Sequence, residues 1–121
     1  IGGIIDSMAF HSFALVPAVA DIATRMSATR LPFNWAVIQA QIGNTGNVRI
    51  VSIDQVTVNA AGAVTVTPTT GGTVLAPNAA PTLPGASLTV PHAGQPLPYD
   101  FRNIFLIVDD LNDGVDVSYG S

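Results

Sequence analysis

No cysteine, lysine or glutamate occurs anywhere in this chain. The missing cysteine excludes a disulfide framework, thiolate catalysis and cysteine-ligated zinc or iron–sulfur sites. Without lysine, the cationic complement is four arginines, Arg25, Arg30, Arg49 and Arg102, against eight aspartates, for a net charge of −4. A phosphate-backbone binder needs a basic stripe, and attraction to an anionic membrane needs basic clusters. Neither nucleic acid nor membrane is therefore an expected partner. The missing glutamate removes the usual bidentate ligand of an EF-hand loop and one half of a cupin-type His/Glu metal cluster. Charge of either sign is scarce, at 10% of 121 residues, where soluble domains average about a quarter. With 48% hydrophobic residues, a surface this neutral suits a chain partly covered by a neighbour. No apolar run is long enough to span a bilayer. The opening Ile1-Gly2-Gly3-Ile4-Ile5-Asp6 carries no basic stretch and does not read as a signal peptide.

What is present alternates with period two. In Gly114 to Tyr119, Val115, Val117 and Tyr119 alternate with Asp116 and Ser118. Ala86 to Val90 and Ala63 to Thr67 repeat the pattern, with Ser87 and Thr89 outward. Such runs are strands with one wet face. Trp35 to Ile42 and Asn103 to Val108 are more continuously apolar and read as central strands covered on both faces, one by the core and one by a neighbour. Phe10 to Val16 reads as the first strand, and Val48–Ile53 and Gln55–Val58 as shorter ones. Val19, Ile22, Ala23 and Met26 fit a helical stripe, but the same segment also permits a strand.

Turn chemistry separates these runs. Gly43-Asn44-Thr45-Gly46-Asn47 reads as a tight turn between strands, Asn59 to Gly62 and Thr70 to Gly72 as further turns, and Asn112-Asp113-Gly114 as the Asp-Gly signal of a hairpin. Prolines exclude 76–85 and 91–98 from being central strands, so both are expected as surface connections. The sum is an all-β chain: an antiparallel β-sandwich, jelly-roll-like, spanning 10–121 with an N-terminal arm at 1–9. The apolar pair Ile4-Ile5 suits an arm that docks on a neighbour.

Chemistry-bearing residues are few. Asp109, Asp110, Asp113 and Asp116 form the one acidic cluster that could attract calcium. Their spacing misses the EF-hand pattern, and a polar turn is the favoured reading. His11 and His92 each stand alone, with no Gly-x-Ser-x-Gly elbow and no His-x-x-x-His pair, so both read as surface or interface histidines. No glycine-rich phosphate loop opens a helix. Phe33, Trp35, Tyr99 and Phe101 flank proline-containing joints and read as core packing rather than a ligand-stacking platform. Arg102 reads as solvated, with pairing to a neighbour's aspartate as the alternative. No catalytic, cofactor-binding or metal-binding residue is assigned, and no enzyme is expected.

The order of segments carries a resemblance. Trp35 to Ala40 leads into Asn44-Thr45-Gly46-Asn47-Val48-Arg49-Ile50. Pro84-Gly85-Ala86-Ser87-Leu88-Thr89 follows, then Tyr99 to Leu106, then Gly114 to Gly120. This resembles small virion-associated proteins of tailed bacteriophages over residues 9–121, departing from them between Ala60 and Pro84. The resemblance implies a decoration, minor capsid or tail-associated protein without catalysis. It implies a place on the phage particle, contact with the major capsid protein or other virion proteins, and a homo-oligomer, with a trimer as the first expectation. The alternative function is a receptor- or carbohydrate-binding module of a tail or spike, expected to show an aromatic-lined groove with converging aspartates.

Overall fold

The computed structural model describes residues 10–90 and 99–120. The arm at 1–9, the connection at 91–98 with His92, and Ser121 lie outside the described residues. In chain order the strands are β1 (His11–Leu15), β2 (Thr24–Arg25), β3 (Pro32–Phe33), β4 (Trp35–Ala40), β5 (Val48–Ser52) and β6 (Thr57–Val58). They continue with β7 (Val64–Val66), β8 (Thr73–Leu75), β9 (Ser87–Val90), β10 (Tyr99–Asp100), β11 (Ile104–Val108) and β12 (Val115–Gly120). Single 3₁₀ turns at Ile53–Gln55 and Phe101–Asn103 interrupt them. Among the described residues there is no α-helix.

Two four-stranded antiparallel sheets face each other, one ordered β1-β12-β4-β9 and the other β2-β11-β5-β8. Two-stranded pieces β3–β10 and β6–β7 complete the sandwich. The eight strands of the large sheets pair in a fixed way. The first pairs with the last (β1 with β12), the second with the seventh (β2 with β11), the third with the sixth (β4 with β9) and the fourth with the fifth (β5 with β8). The chain is thus one long antiparallel hairpin folded over on itself.

The alternation read from sequence sets which side chains enter the core. Ala36, Ile38 and Ala40 of β4 and Val115 and Val117 of β12 point inward. They meet Val48, Ile50, Leu106 and Val108 of the opposite sheet. β11 is buried on both faces, because Phe105 and Ile107 join Ala23, Val51 and Val56 in a second cluster behind the sheet. There the expectation of a doubly covered strand holds within the chain itself. For β4 it differs: Trp35 is exposed and Val37 and Gln39 are only half-buried, with no second layer built over them by the described residues.

Two further readings change. The segment 19–27 forms no helix: Asp21 sits at φ 64, in the left-handed region where a helix stops, and Thr24–Arg25 pair instead with Phe105–Leu106. Asn112-Asp113-Gly114 is no hairpin, since β11 and β12 lie in different sheets. It carries the chain across the sandwich, with Asn112 at φ 76 making the bend. The 43–47 turn lies between two strands, as expected, and joins β4 to β5 in opposite sheets. The proline-rich segment 76–85 is an ordered connection, as expected. Asn78 accepts from the Ala80 N–H at 2.9 Å and donates to the Pro84 carbonyl at 3.2 Å, while the Gly85 N–H donates to the Ala40 carbonyl at 3.1 Å.

Candidate functional site

The acidic cluster turns out to be a clamp. Asp113 is 3% exposed, and a carboxylate so placed must find donors or lose its charge. Its oxygens accept from the Thr45 N–H at 3.0 and 3.2 Å and from the Gly46 N–H at 2.8 Å. Beside it, the buried amide of Asn44 donates to the Gly114 carbonyl at 2.9 Å and accepts from the Gly114 N–H at 3.1 Å. Asp110 accepts from the Thr45 hydroxyl at 2.8 Å, and Asp116 from the Gln41 amide at 3.1 Å. The two crossings between the sheets, 41–47 and 109–114, are therefore stapled to each other. Among the described residues, no group of three histidine or aspartate side chains comes together that could hold a metal ion.

The surface of this end carries exposed apolar side chains beside the carboxylates of Asp21, Asp109 and Asp110. Val16, Val19, Ile22, Ile42, Leu83 and Leu111 are all exposed, and all lie on loops that leave or enter the strands here. The 77–81 stretch shares a surface depression with Gly43, Asn44 and Thr45. Gly114 sits against the Leu15 carbonyl and the Val16 side chain. Isolated exposed aliphatic residues are ordinary; here six gather on the loops of one end.

The opposite end is aromatic. Phe33 stacks on Phe101 with ring centroids 4.0 Å apart and on Tyr99 at 5.3 Å, while Phe13 and Tyr119 meet Phe101 edge-on at 5.3 and 5.2 Å. Phe33 and Phe101 are fully enclosed, so for them core packing is the role. Trp35 is different. It is 38% exposed, and its indole lies over Gly120, where an added methyl would collide with the ring nitrogen. Phe10, 65% exposed, lies 6.4 Å from it, centroid to centroid. His11 rests on the Tyr119 ring at 5.2 Å, exposed.

The arginines serve structure in ways their sequence context did not reveal. Arg25 donates to the carbonyls of Arg102 and Gly62, with its guanidinium 4.8 Å above the Phe105 ring. Arg49 donates to the carbonyls of Gly71 and Pro68. Asp100 caps the 101–103 turn, accepting from the N–H of Leu31 and of Arg102 at 2.9 Å each, with Arg30 at 3.6 Å. Burial acts to raise its pKa. The two N–H donors, helped by the nearby charges of Arg30 and Arg102, outweigh that and hold it below the ordinary aspartate value of 3.8. Arg102 itself is exposed, its side chain turned to solvent. An apolar cleft of about 290 Å³ opens between the sheets, lined by Ile38, Ile50, Leu88, Val90, Tyr99 and Ile104 among others. Among the described residues its lining carries no carboxylate, histidine or arginine.

The chain matches no family model, and neither a curated protein nor a solved structure is detectably similar to it. The class defined so far is an antiparallel all-β sandwich with one clamped, apolar loop end and one aromatic end.

Proposed function

We propose that this protein is a virion structural component: a capsid decoration, cement or minor capsid protein that binds capsid subunits and stabilises the shell from the particle surface. The observation that carries the proposal is the clamped loop end. Exposed apolar side chains normally cost a protein solubility. Here six of them gather at one end, and two, Ile42 and Leu111, stand on the crossings that a buried aspartate and a buried asparagine lock together. A contact surface stiff before binding loses little entropy when it docks, and the exposed Asp21, Asp109 and Asp110 at the same end call for donors or cations on the shell to offset their desolvation.

The pairing of first strand with last and inward from there supports reading the sandwich as a jelly roll, an architecture that capsid proteins share with lectins and cupins. Fold alone does not choose among those. The scarcity of charge and the apolar loop end favour the capsid reading. The partner is the major capsid protein or another virion protein, and repetition on a symmetric lattice raises the effective affinity of a modest contact. A homo-oligomer, a trimer first, is the working state.

The test is reconstitution onto virus-like shells assembled without the protein. Wild-type protein should bind and raise the shells' melting temperature. Leu111→Asp and Ile42→Asp, both at exposed positions, should keep the isolated fold and lose binding. Variants that bind as well as wild type would refute the loop end as the contact, and a wild type with no affinity for shells would refute the function.

A further inference from the structure

The outer face of the β1-β12-β4-β9 sheet has a composition of its own, and the register of the strands gives it row by row. Ser12, Ser118, Val37 and Thr89 lie abreast across the four strands. The next row is Ala14, Asp116, Gln39 and Ser87. In the other direction, Gly120 pairs with Trp35, and Phe10 stands one residue before the His11–Tyr119 pair. The rows therefore run from two exposed aromatic rings, through hydroxyls, to a carboxylate and an amide. No side chain on these rows carries a positive charge, and Asp116 is the one negative charge.

Gly120 explains why the aromatic row is open. With no side chain between β1 and β4, the Trp35 indole lies down over the Gly120 backbone. Phe10, also exposed, stands beside it with its ring inclined at 50° to the indole, and the two rings form the aromatic platform of this face.

Size decides between two kinds of occupant. Four strands about 4.8 Å apart and five residues rising about 3.4 Å each give a face of roughly 19 by 17 Å. That is roughly 300 Å², against about 800 Å² per partner in a stable protein–protein contact. The face is too small to hold a second copy by itself, and it is suited to a ligand of a few rings. A pyranose ring presents an apolar C–H face that packs on an aromatic ring, whose face is electron-rich. It also presents a rim of hydroxyls that exchange hydrogen bonds with hydroxyl, amide and carboxylate groups. Those are the groups on this face, in rows adjoining the platform.

We infer that the outer face of the β1-β12-β4-β9 sheet is a binding site for a neutral glycan of a few rings, stacked on Trp35 and Phe10 and hydrogen-bonded by the adjoining Ser12, Ser118, Asp116 and Gln39. Its aromatic row lies at the end of the sheet opposite the clamp, while Asp116, at the far edge of the face, also accepts from Gln41 of the clamp.

Trp35 is the single tryptophan of the chain, so its fluorescence reports the platform directly. Cellohexaose and chitohexaose are the probes, titrated to about 5 mM to reach the weak affinities of small sugar sites. At least one should shift the emission saturably. Phe10→Ala, at an exposed position outside the core, should melt like wild type and bind that sugar about tenfold or more weakly. Three outcomes would overturn the inference: no response to either sugar, a response unchanged in Phe10→Ala, or self-association of the wild type that Phe10→Ala abolishes. The last would make the face a protein contact.

Discussion

The side chain of Asn44 closes a ring of two hydrogen bonds on the backbone of Gly114, seventy positions further along the chain. With Asp113 gripping the N–H groups of Thr45 and Gly46, it joins the two connections that cross between the sheets. Removing Asn44 leaves the buried Gly114 N–H without its partner, while removing Asp113 frees the partly buried N–H groups of Thr45 and Gly46. Asn44→Ala and Asp113→Ala should each lower the unfolding free energy by about 1–3 kcal/mol, read by urea denaturation. The double variant should lose less than the sum, because both side chains hold one junction.

Gly114 itself is fixed by its surroundings. A methyl group there would stand 2.3 Å from the Leu15 carbonyl oxygen and 2.9 Å from the Val16 side chain. The first of these is backbone of a paired strand and cannot rotate away. Gly114→Ala should destabilise by about 1–3 kcal/mol, seen as a lower melting temperature. Gly43→Ala offers a contrast: open space surrounds that position, and only its φ of +86 opposes a side chain. Its loss should be close to 1 kcal/mol.

Much of this was legible in sequence. Period-two alternation located β7, β9 and β12, and the continuous apolar runs located β4 and β11, whose inward faces fill the core. Residues as short as Thr24–Arg25 or Pro32–Phe33 carry no period and form strands only because a neighbour is already in place. Asp113-Gly114 misled because a turn signal is local. It says that the chain bends, not which sheet the next strand will join. The clamp escaped notice for the same reason, as its partners lie some seventy residues away. The Trp35 platform had a signal: Ala36, Ile38 and Ala40 form the smaller, inward set, which forces Trp35 outward.

Asp100 gives a pH dependence of known sign. Its folded-state pKa lies below the ordinary value, so the native state favours the ionised form. The stability this confers is fully present above the unfolded value of about 3.9 and is lost as pH falls through the lower, folded one. Melting temperature should drop on acidification below about pH 4, and Asp100→Asn should flatten that drop. Arg30, largely exposed, adds little, so Arg30→Ala should leave the profile nearly unchanged.

Arg25 bridges two carbonyls while covering Phe105. Its planar fork matters more than its charge. Arg25→Lys should therefore lose most of the stability that Arg25→Ala loses, about 1–3 kcal/mol in denaturant titration. Equal stability of the lysine variant and the wild type would mean that charge alone suffices.

The most direct test of the attachment proposal is an electron-microscopy reconstruction of the assembled particle that carries this chain. The account predicts ordered copies on the shell, with Ile42 and Leu111 buried against a capsid subunit and the Trp35 face turned outward. Particles without ordered copies, or copies whose clamped loop end points into solvent, would contradict it.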